Sequence, residues 1–165
     1  MSKIAKDLAC IKGFVFDVDG VLSVSTQQIG SDGQLIRTAN IKDGFALRKA
    51  VKAGYKIAII TGGTTEAVVK RYNLLGITDI YSGISKKLPA FEKWLALRGL
   101  SAADVAYMGD DIPDLPCMRE AFLSAAPYDA VPAAIATADF VSKFTGGYGC
   151  VRDLIESVMK AANLW

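Results

Sequence analysis

Three short apolar runs, each breaking off at a polar cluster, constrain the fold of this chain more than any other feature. Ile11–Phe16 ends at Asp17, Lys56–Ile60 at Thr61-Gly62-Gly63, and Val105–Met108 at Gly109-Asp110-Asp111. Runs that are apolar without alternation read as strands covered on both faces. The stretches Asp43–Ala53, Thr65–Leu75 and Leu88–Arg98 carry apolar residues at helical spacing and stop at Gly54, Gly76 and Gly99, the residue type that most readily closes a helix. Pro113–Ala121, Val131–Thr137 and Val151–Ala162 read as further helices, and Ile80-Tyr81, Leu123–Ala125 and Phe140-Val141 as further short strands. This alternation predicts an α/β, Rossmann-like parallel sheet flanked by helices on both faces. Val21–Ile29 and Leu35–Thr38, around Ser31-Asp32-Gly33, predict a β-hairpin after the first strand. No Pro/Ser-rich linker or repeat divides the 165 residues, and 52% hydrophobic content is enough for one domain spanning 1–165.

Composition narrows the chemistry. The chain has no histidine, which removes the commonest general base and the commonest zinc ligand. Charges of both signs are scattered to a net +2, with no basic block, so a small-molecule partner is expected rather than nucleic acid. Cys10, Cys117 and Cys150 are far apart and form no CxxC pair, so they read as reduced thiols. Met1 to Cys10 lacks a hydrophobic signal core, and no apolar run is long enough for a bilayer. The expectation is a cytoplasmic protein without membrane contact.

In an open parallel sheet, ligands bind outside the carboxyl ends of the strands, so the polar clusters fall together. Asp17-Val18-Asp19-Gly20 supplies two carboxylates at spacing two: one able to attack phosphorus, the other to deliver and remove a proton, with a hard cation offsetting their charge. Thr61-Gly62 offers a hydroxyl and exposed backbone N–H groups for phosphate oxygens. Lys86 or Lys87, ahead of an apolar helical pattern, offers a cation. Asp110, Asp111 and Asp114 offer oxygen ligands for Mg²⁺, with Asp111 or Asp114 acting through water or orienting Lys87. Each has an ordinary structural alternative: a polar turn, a Thr61 helix cap, a solvated lysine pair, a capping cluster ahead of Pro113. Their order, each after a predicted strand, favours the chemical reading and needs no histidine.

Phe16-Asp17-Val18-Asp19-Gly20-Val21, Thr61-Gly62, Lys87 and Gly109-Asp110-Asp111-Ile112-Pro113-Asp114 resemble, in order, the four motifs of the haloacid-dehalogenase-like phosphohydrolase superfamily, and the resemblance runs from about residue 11 to the end. The motif spacing leaves no room for a cap domain. Asn40-Ile41-Lys42-Asp43-Gly44, Ala106–Asp111 and Gly146–Asp153 are similar to the capless sugar-acid phosphatases, the 3-deoxy-D-manno-octulosonate 8-phosphate (KDO 8-phosphate) phosphatase family above all.

The resemblance implies Asp17 as nucleophile and Asp19 as general acid/base. It implies Mg²⁺ held by the Asp17 carboxylate, the backbone carbonyl of Asp19 and Asp110, and phosphate held by Thr61, Gly62 and Lys87. It further implies a homotetramer built through the hairpin, the C-terminal segment of one subunit reaching a neighbouring site, and a place in lipopolysaccharide precursor synthesis. One departure stands out. Many members carry an arginine just after Thr-Gly or one position later, for the sugar-acid carboxylate; here those positions are Gly63 and Thr64. Arg71 matches another family arginine and is the substrate-binding candidate, or else an exposed helix arginine. The alternatives are a phosphatase for nine-carbon sugar-acid 9-phosphates and a non-catalytic subunit that keeps the fold.

Overall fold

A computed structural model describes residues 7–64 and 66–165. The N-terminal reading at residues 1–6 and the expected helix start at Thr65 lie outside the described residues. Six parallel strands form one sheet in the order β5-β4-β1-β6-β7-β8: β1 (Gly13–Phe16), β4 (Lys56–Ile60), β5 (Asp79–Tyr81), β6 (Val105–Met108), β7 (Leu123–Ala126) and β8 (Phe140–Val141). Every residue of β1 is buried, as expected for a strand with a layer on each side. Phe14 and Phe16 face one core with Leu47, Ile59, Leu154, Ile155 and Val158. Val15 faces the other with Ala58, Ile60, Phe91, Trp94 and Tyr107.

The helices follow from their apolar stripes. α6 (Cys150–Ala161) buries Cys150, Val151, Leu154, Ile155, Val158 and Met159, a face repeating at three and four residues, against the layer that includes α1 (Ile41–Lys52). α3 (Lys87–Arg98) lies in the opposite layer and buries Lys87, Phe91, Trp94 and Leu95. It ends at Gly99, whose φ of 63° is the left-handed stop expected of that glycine. The remaining helices are α2 (Glu66–Asn73), α4 (Leu115–Glu120) and α5 (Pro132–Thr137).

Two expectations are corrected. The hairpin is much shorter than Val21–Ile29 with Leu35–Thr38: β2 (Gln28–Ile29) pairs antiparallel with β3 (Leu35–Ile36). Val21 and Leu22 are instead buried in a turn fastened by Val21 N–H and Ser23 N–H donating to Val18 O. Pro113–Ala121 is not one helix. Asp111 and Asp114 form a reciprocal capping box around a 3₁₀ turn at Ile112–Asp114, and α4 begins only at Leu115. No helix among the described residues is long and apolar enough to cross a membrane.

Candidate active site

β1 lies between β4 and β6, at the point where successive crossovers leave the sheet in opposite directions. A crevice forms there outside the carboxyl ends of the strands. The registers Phe16↔Ile59 and Phe16↔Met108 deliver Asp17, Thr61 and Asp110 to the same rim. The ladder continues into it: Asp17 N–H donates to Met108 O at 3.1 Å, and Thr61 N–H to Tyr81 O at 2.9 Å.

Asp17 is only 6% exposed. Lys87 Nζ lies 2.8 Å from Asp17 Oδ1 and 2.8 Å from Asp114 Oδ1. Helical periodicity chooses Lys87 over Lys86: Lys87 stands four and seven residues before Phe91 and Trp94 on the buried stripe of α3, whereas Lys86 is exposed. Tyr107 OH also donates to Asp114 Oδ1, at 2.8 Å, and the amides of Asp110 and Asp111 approach Asp114 Oδ2 at 3.2 and 3.4 Å. Asp114 is thereby saturated with donors and orients Lys87. Asp111 is exposed and accepts from Ile112 N–H at 2.7 Å, so the capping alternative describes it.

Carboxylate oxygens of Asp17, Asp110 and Asp114 lie within 4.8 Å of one another. Three acids face one lysine. Burial, and then the Asp114 charge, raises Asp17 to about 6 against the pull of Lys87. Burial, and then the charges of Asp17 and Asp114, raises Asp110 to about 8. Burial opposes the charge of Lys87, but Asp17 and Asp114 outweigh it and its pKa is raised. Such a cluster lacks positive charge, and a divalent cation with oxygen ligands would supply it. Gly20, at φ 88°, makes the approach possible: a Cβ there would collide with the Asp110 carboxylate. Because Asp114 is committed to Lys87, Tyr107 and two amides, Asp17 and Asp110 are the carboxylates best able to hold Mg²⁺.

Thr61 is buried, and its Oγ1 accepts from Gly63 N–H at 3.2 Å. It is no helix cap, since α2 starts five residues later. Gly62 is exposed at the rim, where an added Cβ would meet only ordinary contact. The carboxylate of Asp19 stands outside the acidic cluster. Arg37 Nε donates to its Oδ1 at 2.8 Å, Arg37 Nη2 to its Oδ2 at 2.9 Å, and Gln27 Nε2 to its Oδ1 at 2.6 Å. Reading the sequence by strand ends misses Arg37, Gln27 and Tyr107. A signal for the first two existed in the hairpin: extending the register Gln28↔Ile36 by one pair sets Gln27 opposite Arg37. Arg71 and Arg37 both line a cavity of about 270 Å³ between the hairpin and α2, with Val18, Tyr72 and Thr38 among its walls.

No protein-family model matches the chain. Individual proteins do. The 3-deoxy-D-manno-octulosonate 8-phosphate phosphatase KdsC of Escherichia coli strain K12 is 39% identical over 151 residues, 92% of this chain and 80% of that protein. The chain belongs to the KDO 8-phosphate phosphatase family. Within that family the Yersinia pestis enzyme is 37% identical over 153 residues, 93% of this chain and 82% of its own length. The solved structure of the Moraxella catarrhalis KDO 8-phosphate phosphatase, in complex with magnesium ion, phosphate ion and KDO, superposes with a TM-score of 0.93 at 34% identity, covering 99% of this chain and 94% of that one. A Legionella pneumophila structure described as a putative HAD-superfamily hydrolase superposes with a TM-score of 0.92 at 36% identity, covering 95% and 86%.

Proposed function

We propose that this chain is one capless phosphatase domain over 1–165 that hydrolyses KDO 8-phosphate to KDO and phosphate, a step of lipopolysaccharide precursor synthesis in the cytoplasm. The observation that carries the reading is the buried Asp17 at the sheet's switch point, 2.8 Å from Lys87 and within ligand distance of Asp110. Asp17 and Asp110, with the backbone carbonyl of Asp19, would hold Mg²⁺. Bound there, the ion supplies positive charge to the phosphoryl oxygens and to Asp17.

The chain's own residues do the rest. An Asp17 carboxylate oxygen attacks phosphorus in line, and the bond to the sugar oxygen breaks. Asp19 gives its proton to that leaving oxygen, and an aspartyl-phosphate remains. Asp19 then takes a proton from water, the water oxygen attacks phosphorus, and inorganic phosphate leaves Asp17. Lys87, Thr61 and the amide at Gly62 hold the equatorial oxygens, and Asp114 keeps Lys87 in place. Arg71, in the adjoining cavity, meets the sugar-acid carboxylate.

The test is phosphate release by purified protein with Mg²⁺ from KDO 8-phosphate, nine-carbon sugar-acid 9-phosphates and simple sugar phosphates. KDO 8-phosphate should lead by kcat/KM, and Asp17→Asn should abolish turnover with the fold intact. Preference for a nine-carbon substrate would reassign the substrate, and silence with all of them would leave a non-catalytic subunit. The assembly we infer is a homotetramer joined through the hairpin, with the C-terminal segment of one copy reaching the next site. The exposed Ile29, Leu35 and Ile36 on a two-stranded ribbon, and the exposed Leu164, support it. In light scattering, Ile36→Lys should lower the mass below four chains; an unchanged tetramer would move the seam elsewhere.

A further inference from the structure

Both oxygens of the Asp19 carboxylate are occupied in the resting site. Both of its oxygens take N–H groups of one guanidinium, and Oδ1 takes Gln27 as well. While that two-pronged pair is in place, neither oxygen is free to meet a leaving-group oxygen or a water. The site built around Arg37 is specific. Its side chain is only 11% exposed, against 33% for that of Asp19. Gly63 is the floor: a Cβ there would collide with Arg37 Nη2 and stand 3.4 Å from Asp19 Oδ2. Among the described residues, Asp19 is the one carboxylate on Arg37, and Arg71, in the wall of the same cavity, has no ion-pair partner. The buried Oε1 of Gln27 has no hydrogen-bond partner among them either. Two guanidinium groups thus line one cavity, and of the two only Arg37 holds a carboxylate among the described residues.

We propose that Arg37 is a specificity latch: it holds Asp19 in the resting site and releases it when the carboxylate on the leaving group of the substrate, which Arg71 also meets, takes over its guanidinium. The chemical class admitted is a phosphomonoester whose alcohol portion carries its own carboxylate. A planar fork left without an anion in a mostly buried position is costly, so water is a poor substitute and a second carboxylate a good one. Substrate recognition and the freeing of the general acid/base become one event. The inference rests on the phosphatase reading above and deepens it.

The test compares KDO 8-phosphate with p-nitrophenyl phosphate, which has no carboxylate, in the wild type, Arg37→Ala, Arg37→Lys and Gly63→Ala, each with its melting temperature measured. Losing a two-pronged charged pair should lower kcat/KM for KDO 8-phosphate by about 10- to 100-fold in Arg37→Ala. The same variant should raise kcat for p-nitrophenyl phosphate several-fold, because Asp19 is no longer held. Gly63→Ala, which keeps the charge and displaces the guanidinium, should shift selectivity in the same direction, and Arg37→Lys should recover part of the KDO 8-phosphate activity. Parallel losses on both substrates would overturn the latch and leave Arg37 merely positioning Asp19; so would unchanged selectivity in well-folded Arg37→Ala and Gly63→Ala. A wild type inactive on both substrates would instead refute the phosphatase reading itself, and the latch with it.

Discussion

Replacing Lys87 with methionine tests the charge balance of the site directly. The side chain keeps its approximate length, but Asp17 and Asp114 each lose a cation 2.8 Å away in a setting where Lys87 is 5% exposed and Asp114 1%. Removing one partner of a buried ionic network costs about 3–5 kcal/mol, because the remaining charges stay desolvated. The cost has a pH signature. Asp17 and Asp110 already stand at about 6 and about 8, above the ordinary 3.8 of an aspartate. Groups whose folded pKa is raised favour folding at low pH, and that contribution fades as pH climbs from about 4 through those values. Without Lys87 both are pushed higher, so the deficit of the variant should be smaller at pH 5.5 than at pH 8, and should go on growing above pH 8 as Asp110 ionises in the wild type. Urea unfolding followed by circular dichroism, with EDTA present, reads this directly. Added Mg²⁺ should recover part of the loss at pH 8. A deficit below about 1 kcal/mol at pH 8, or one of equal size at both pH values, would refute the view that Lys87 neutralises a crowded acidic cluster.

Three further outcomes follow from named contacts. Mg²⁺ binding should release a proton and tighten from pH 6 to 8, by at most about tenfold per unit, because Asp110 at about 8 must lose its proton to ligate; calorimetry in buffers of different ionisation enthalpy measures it, and pH-independent affinity would exclude Asp110. Gly146→Ala should cost about 1–3 kcal/mol and much of kcat, since its Cβ would collide with the backbone carbonyl of Gly20; an unaltered melting temperature and kcat would show that the turn after Asp17 yields freely. Arg71→Ala should raise KM for a carboxylated sugar phosphate more than for an aryl phosphate, and equal effects would take Arg71 out of carboxylate recognition.

The ends of the buried strands were legible because they obey two local rules: an uninterrupted apolar run marks a strand covered on both faces, and the residue after it lies at the ligand-binding rim. Asp17, Thr61 and Asp110 come from those rules. Lys87 comes from helical spacing to Phe91 and Trp94. Arg37 was beyond such reading. It lies past a two-residue strand on an exposed ribbon, and its role depends on a side chain reaching back 18 residues to Asp19. The hairpin limits were overestimated for a related reason. Val21 and Leu22 have strand-like character, yet the Val18–Ser23 turn and the core claim them. Tyr107 looked like an ordinary apolar strand residue, and only its buried hydroxyl on Asp114 distinguishes it.

The Val18–Val24 turn is braced from the far end of the chain. Gly147 N–H donates to Val21 O at 2.8 Å, Cys150 Sγ approaches the same carbonyl across 129 residues, Asn40 Nδ2 reaches Gly147 O across 107, and Asp43 receives Arg152 N–H across 109. Contacts so remote in sequence close late, after the entropy of the intervening loop has been overcome. A nascent polypeptide therefore exposes Asp17, the proposed nucleophile, early in synthesis but gives that loop its folded shape only once α6 has emerged and docked. Until then a ribosome-bound chain carries Asp17 without the loop geometry that the proposed chemistry requires, so that geometry arrives with the docking of α6.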